Sequence, residues 1–229
     1  MPKTLSSPIA ATIGALIFFA LSVSVSTVVN AMGFEGFATR QIALKLAMVI
    51  VSLVLMALIG RDRRTWGFVA PREWFLSTML PICGAGMLGA LATATILGLG
   101  LPPLAGLSEL SVPTLVLVIW FGSTIAEEIF VRGLIQGWMQ PLTAGEHGGR
   151  VLASGILFGA MHLGLFAGDT DARTAVTIVV ATTLLGLICA WSRERSGSLV
   201  GPLTAHFAFN ACGVFGGIGV MVVKAMLGA

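Results

Sequence analysis

The stretch that decides the fold is residues 113–139, which read PTLVLVIWFGSTIAEEIFVRGLIQGWM. About 20 consecutive apolar residues are enough for a helix to cross a bilayer, so this stretch predicts a membrane span. Three ionisable residues, Glu127, Glu128 and Arg132, nevertheless lie inside it. Ionisable groups at membrane depth are costly and usually functional. The stretch therefore predicts both a span and part of a site.

The composition of the whole chain agrees with a membrane protein. Its 229 residues are 56% hydrophobic and 10% charged, and the mean hydropathy is +0.98. Soluble domains carry roughly 25% charged residues. This excludes an ordinary cytosolic enzyme, a disordered chain and a secreted disulfide scaffold. The net charge of +3 does not indicate nucleic acid, because the basic residues form short clusters between apolar runs.

Apolar runs separated by turns predict an all-α, polytopic transmembrane bundle with about seven spans, and eight are possible. We expect spans near 9–32, 41–60, 78–101, 113–139, 150–166 and 172–192, and a last block from 199 onward that forms one helix or two. The first run is longer than the apolar region of a signal peptide, which favours a retained span over a cleaved leader. No soluble domain fits between the runs, so residues 1–229 are expected to form a single integral membrane domain.

The basic residues also predict an orientation. Lys and Arg are enriched in cytoplasmic loops, and the clusters are Lys3 before the first run, Arg61, Arg63, Arg64 and Arg72 after the second, and Arg193 and Arg195 after the sixth. Alternation of the spans then places the N-terminus in the cytoplasm. Lys224 does not fit this orientation if the last block is one span.

Helical spacing sorts the ionisable residues within the spans. Glu128 and Arg132 are four apart and share a helix face, whereas Glu127 is rotated by about 100° from Glu128. A second pair four apart is His206 and Asn210 in the last block. In the fifth span His162 follows Phe158 at the same spacing. If the fourth, fifth and last spans meet, one free carboxylate, two imidazoles and one carboxamide converge on a pocket.

Such a set fits hydrolysis by an activated water. A carboxylate and a histidine can hold a water and take its proton, while a second histidine and an asparagine can stabilise an oxyanion. No serine or threonine near these residues has a residue that could act as its base at a fixed spacing in the sequence. A zinc site built from Glu127, His162 and His206, with an open fourth position, is an alternative. The spacing does not distinguish the two, although an HExxH pair is missing.

Three short motifs resemble a known family. Glu127 to Arg132 is similar to the EExxxR motif of the CAAX-protease and bacteriocin-processing (CPBP, or Abi) intramembrane endopeptidases. Phe158 to His162 resembles their FxxxH motif, and His206 to Asn210 resembles their HxxxN motif. The resemblance covers about residues 113–212, which we interpret as the catalytic core. It implies an all-helical membrane endopeptidase whose cavity opens toward the cytoplasm and the membrane.

The resemblance also implies roles for individual residues. Glu127 would be the general base, His162 would help to position the water, and His206 and Asn210 would stabilise the oxyanion. The supporting residues would be Glu128, Arg132 and Phe158. Members of the family have been described as metalloproteases, but we favour a metal-free glutamate mechanism with no cofactor over a zinc-dependent one.

We expect the substrate to be a membrane-associated peptide or protein tail, such as a C-terminal sorting tail or a bacteriocin precursor, in the inner membrane of a bacterium. The Ala- and Gly-rich composition suggests a GC-rich bacterial genome and makes a prenylated substrate less favoured. Two other classes stay open. One is a non-catalytic immunity or scaffold protein of the same fold. The other is a small transporter or channel, whose expected repeat of paired broken helices is not apparent.

Overall fold

The computed structural model describes residues 8–102, 110–143 and 145–227. Lys3, one of the basic residues on which the expected orientation depends, therefore lies outside the described residues. Within these ranges the chain is helical and contains no strand. Seven of its helices are long and apolar enough to cross a membrane. The expected all-α polytopic bundle is confirmed.

The seven spans follow one another with short connections. Their bounds are Pro8–Ala31, Phe37–Ile59, Phe75–Gly98, Val112–Met139, His147–Ala167, Ala172–Ser196 and Val200–Leu227. The last block is thus a single helix as far as Leu227, which answers the question of one helix or two. The second span begins four residues before the expected position 41 and so takes Arg40 into the helix.

Glycines end two of the spans that lead into basic connections. Gly60 closes the second span with φ 71° and its N–H donates to the carbonyl of Met56. Gly197 closes the sixth span with φ 69° and its N–H donates to Arg193 O. Left-handed backbone at a helix C-terminus is adopted by glycine at little cost. Both stops turn the chain back toward the bundle.

Hydrogen bonds between connections define the two ends of the bundle. At the first, which we call the basic end, the N–H of Arg72 donates to Ser196 O and the N–H of Leu199 donates to Gly67 O. At the opposite end the hydroxyl of Thr174 donates to Pro102 O. The basic end therefore gathers Arg61, Arg63, Arg64, Arg72, Arg193 and Arg195.

Small residues let neighbouring spans approach closely. A Cβ on Gly216 of the seventh span would lie 2.5 Å from Ala90 O of the third span. A Cβ on Gly186 of the sixth span would lie 2.7 Å from Gly155 O of the fifth. Helices in lipid associate by such close packing, because burial of apolar side chains gives little advantage there. These two contacts join the seventh span to the third and the sixth span to the fifth.

The fourth span lies deepest in the bundle. In its most apolar stretch 47% of the residues are buried inside the protein, compared with 17% in the second span and 11% in the seventh. Its helix widens into π-helical turns over Leu115–Ser123 and Ile129–Ile135, on either side of the α-helical Thr124–Glu128. Wide turns of this kind are frequent at functional sites. The two glutamates thus lie in the short α-helical segment between these wide turns, and both are buried.

Candidate active site

The two neighbouring glutamates of the fourth span face different surroundings. Glu128 is fully buried, while Glu127 is 7% exposed and lines a cavity. This agrees with the rotation of about 100° between consecutive helical residues. The two carboxylates therefore serve different purposes.

Glu128 forms the centre of a buried network. Its Oε1 accepts hydrogen bonds from Arg132 NH1 at 3.2 Å and from His206 Nδ1 at 2.8 Å. The same guanidinium donates through NH2 to Gly186 O at 2.9 Å. Residues of the fourth, sixth and seventh spans are therefore joined through one ion pair, which sequence spacing had predicted only within the fourth span.

Phe158 lies fully buried at the back of the site. Its ring lies 4.4 Å from the Arg132 guanidinium carbon. It also meets the rings of His162 and His206 at centroid distances of 5.3 and 5.5 Å. An aromatic face attracts a cation and accommodates ring edges. Phe158 thus fixes the positions of both imidazoles without lining the cavity.

The hydrogen bonds of both histidines fix their tautomers. His162 Nδ1 lies 2.9 Å from Phe158 O, and His206 Nδ1 lies beside the Glu128 carboxylate. Carbonyl and carboxylate oxygens only accept hydrogen bonds, so Nδ1 carries the proton in each ring. Nε2 of each ring is then left for other partners. In His206 this atom lies 3.9 Å from Glu127 Oε2.

Asn210 lies one turn after His206 on the seventh span. Its Nδ2 donates to the hydroxyl of Thr124 at 3.1 Å, which fixes the direction of the carboxamide. An asparagine NH₂ group carries two donors, so one N–H remains for another acceptor in the cavity.

The four residues expected to be catalytic line one cavity of about 680 Å³. These are Glu127, His162, His206 and Asn210. Their side chains come from the fourth, fifth and seventh spans, as the sequence predicted. Glu128, Arg132 and Phe158 lie behind this cavity and hold its walls. The structure thus brings together all seven residues that sequence analysis selected.

Sequence analysis missed one residue of this site. Lys45 of the second span places its Nζ 2.6 Å from Glu127 Oε1. It lies near the start of the expected second span, and a charge at the end of a span does not by itself indicate a site. The helix in fact begins at Phe37, so Lys45 lies two turns inside it. A lysine within an apolar run was the available signal.

A second buried ionic cluster lies near the basic end. Glu194 accepts hydrogen bonds from Gln136 Nε2 at 2.9 Å and from Arg150 NH2 at 2.7 Å. It also pairs with His147, whose side chain is 71% exposed. None of these residues lines the cavity. The cluster ties the fourth, fifth and sixth spans together.

The described residues do not fit a metal. In residues 8–102, 110–143 and 145–227 there is no group of three or more His, Cys, Asp or Glu side chains arranged to hold an ion. The ammonium of Lys45 also lies against one oxygen of Glu127, where it would repel a cation. We therefore derive no step of the reaction through zinc.

The motifs, their geometry and their order agree with one known family. Residues 109–212 match the Rce1-like family, described as type II CAAX prenyl endopeptidase Rce1-like. The resemblance inferred from the sequence is confirmed over this segment, which holds all three motifs. No curated protein and no solved structure matches the chain. The match and the seven apolar helices support a CAAX-type intramembrane protease in a multi-pass membrane protein. Lys45 lies outside the matched segment.

Proposed function

We propose that this protein is an intramembrane endopeptidase that hydrolyses a peptide bond of a membrane-associated peptide or protein tail. One observation carries the proposal: Glu127, His162, His206 and Asn210, from three remote parts of the chain, line one cavity inside the bundle. A carboxylate, two imidazoles and a carboxamide around one space can supply a base and hydrogen-bond donors to the same reacting group.

In the proposed reaction Glu127 is the general base. One of its oxygens is bound to Lys45, and among the described residues no hydrogen bond reaches Oε2, which faces His206. This second oxygen takes a proton from water, and the hydroxide adds to the carbonyl carbon of the substrate. Because His162 lines the same cavity and Phe158 holds its Nδ1, the free Nε2 is suited to hold that water.

The oxyanion that forms needs donors aimed at it. We assign this role to the second N–H of Asn210 and to Nε2 of His206, which donates when the ring is an imidazolium. When the C–N bond breaks, Glu127 returns its proton to the leaving amine. The products are a carboxylic acid and an amine, with one water consumed, and transfer of the acid proton to the amine gives the carboxylate and the ammonium. Glu128 and Arg132 hold His206 in place.

The surroundings of the cavity support a substrate that is partly in the membrane. An apolar groove of about 420 Å³ lies between the second and fourth spans and includes Leu46, Val49 and Leu117. It adjoins the polar cavity at Lys45, which lines both spaces. A tail with an apolar segment in the groove and a peptide bond in the cavity fits this arrangement. We propose a bacterial sorting tail or bacteriocin precursor as the natural substrate.

The test is cleavage by purified protein in proteoliposomes, with internally quenched peptides that carry a palmitoyl anchor. We expect Glu127→Gln and His162→Ala to lower the rate by about 10²–10⁴-fold, the range for loss of a general base or its partner. Glu73→Gln is the matched control, because Glu73 is a half-exposed carboxylate at the basic end. If both site variants cleave like the wild type, the glutamate mechanism is wrong.

The metal question has a separate measurement. We expect the cleavage rate to be unchanged after dialysis against 1,10-phenanthroline and after addition of Zn²⁺. Loss of activity in the chelator and its recovery with Zn²⁺ would instead favour the zinc-dependent alternative.

We also propose that the N-terminus lies in the cytoplasm, because the basic end carries most of the connecting Arg residues. The cavity is lined by Asn30, Phe37, Gly168 and Thr170 at the opposite end, so it then opens away from the cytoplasm. This orientation and the cytoplasmic opening implied by the family resemblance are mutually exclusive. We expect an impermeant maleimide to label Glu35→Cys in intact cells and Glu73→Cys only after permeabilisation. The reverse pattern would overturn this orientation.

A further inference from the structure

The second span contributes a charge to the site that the three motifs do not include. Lys45 Nζ lies 2.6 Å from Glu127 Oε1, and the side chain of Lys45 is 14% exposed. A lysine inside a membrane helix is costly unless it is paired. Its partner here is the carboxylate proposed as the general base, so the cost is offset at the reacting group itself.

Each glutamate of the pair has its own cation. Arg132 neutralises Glu128 from within the fourth span, whereas Lys45 reaches Glu127 from another span. The two pairs differ in surroundings, since Glu128 is fully buried and Glu127 lines the cavity. The first pair is therefore part of the scaffold, and the second is part of the cavity wall.

The position of Lys45 affects the two oxygens of Glu127 differently. Oε1 is held by the ammonium, and Oε2 is left toward His206 Nε2 at 3.9 Å. A carboxylate with one oxygen held cannot rotate freely about its terminal bond. The second oxygen is thereby kept directed toward His206, in the cavity that His162 also lines.

We propose that Lys45 is a positioning residue, which holds Glu127 so that its second oxygen faces the reacting water. This inference rests on the proposed role of Glu127 as the base. In this role Lys45 acts on the reaction through the Glu127 carboxylate to which it is bound. A misplacement of a reacting group by about 1 Å can cost about 10²-fold in rate, which sets the size of the expected effect.

The experiment compares Lys45→Met, Lys45→Arg and a lipid-facing control, Ile50→Met, whose residue is 59% exposed. The probe is the same palmitoylated quenched peptide in proteoliposomes. We expect Lys45→Met to lower kcat by about 10²-fold with KM within about 2-fold of wild type. Lys45→Arg is expected to keep more of kcat than Lys45→Met does, since it retains a cation that can pair with Glu127 but differs from lysine in shape.

Chemical restoration of the ammonium distinguishes two roles of Lys45, the positioning of Glu127 and a purely structural link between helices. Lys45→Cys is prepared with Cys83→Ser, because Cys83 is the exposed cysteine of the described chain. Alkylation with 2-bromoethylamine rebuilds an ammonium at the former position, while iodoacetamide adds an uncharged group of similar size. We expect recovery of kcat to at least a third of the Cys83→Ser value with the amine, and none with the amide.

Each outcome has a distinct meaning. If Lys45→Met keeps wild-type kcat, or if both alkylated forms recover equally, Lys45 is not a positioning residue. A lower thermal stability with unchanged kcat overturns the inference in the same way. The proposed function fails separately, when Glu127→Gln cleaves like the wild type. An inactive Glu127→Gln beside a fully active Lys45→Met overturns this inference and leaves the proposed function standing.

Discussion

Removing the charge of Arg132 tests the buried network behind the cavity. The Arg132 and Glu128 side chains are both 0% exposed and lie 3.2 Å apart. Breaking a buried ion pair by removing one partner costs about 3–5 kcal/mol, because the other charge is left uncompensated. For proteins of this size 1 kcal/mol corresponds to about 2–4 °C. Arg132→Met should therefore lower the apparent Tm by about 6–20 °C.

The companion variant removes the other charge. Glu128→Gln keeps the shape and an oxygen that accepts from His206 Nδ1, but it leaves the Arg132 cation buried without a counter-charge. We expect a loss of similar size. In the double variant both charges are gone, and the remaining cost comes mainly from the lost hydrogen bond between Arg132 NH2 and Gly186 O. That carbonyl lies inside the sixth span and keeps its acceptor role within the helix, so the cost is about 0.5–1.5 kcal/mol.

The double variant should therefore be more stable than either single variant. The assay is thermal unfolding in dodecyl maltoside, followed as the loss of monodisperse protein on size exclusion. Arg195→Met is the matched control, because its pair with Glu73 is exposed on both sides and such pairs contribute at most about 1 kcal/mol. Equal shifts for Arg132→Met and Arg195→Met, or a double variant whose loss is the sum of the single losses, would refute the reasoning.

Three further changes test other parts of the structure. Phe158→Ala should lower the free energy of unfolding by about 3–5 kcal/mol, because it opens a cavity. It should also lower kcat, since the ring contacts both histidines. An unchanged Tm would contradict this packing. Gly216→Leu should prevent the close approach of the third and seventh spans and lower the yield of folded protein. The control is Gly219→Leu, because nothing lies within 4 Å of the Cβ position of Gly219, and its yield should not fall. Equal yields of the two variants would show that the contact is unimportant. Arg150→Met should lower the Tm by at least about 6 °C, because it leaves Glu194 buried without its main partner. The control is His147→Ala, at a side chain that is 71% exposed, which should shift the Tm by less than about 4 °C. Thermal unfolding of both variants measures the difference.

The sequence was a good guide to everything that depends on local periodicity. The apolar runs gave the number of spans, since a helix of fixed rise needs about 20 residues to cross the bilayer. The spacing of four residues gave the pairing of Glu128 with Arg132, which the structure has at 3.2 Å. The rotation between Glu127 and Glu128 likewise followed from helix geometry. These features are properties of one helix at a time.

The partners across helices were less accessible to sequence reasoning. Sequence analysis assigned Glu128 to Arg132 alone, but its Oε1 also accepts from His206 Nδ1. The second span begins at Phe37, four residues before the position that the sequence predicts. Lys45 therefore lies two turns inside the helix and not near its start.

The sequence alone thus determined that the chain is a helical membrane protein and that five ionisable residues of its spans fall into three motifs, namely Glu127, Glu128, Arg132, His162 and His206. Helix rise and side-chain periodicity are local, so the order of residues is enough to specify them. Only the tertiary structure decided that Lys45 meets Glu127, that Glu128 holds His206, and that the cavity opens opposite the basic end. These contacts join remote spans. They depend on how closely the helices pack and on which buried charge lies near enough to offset the desolvation of another.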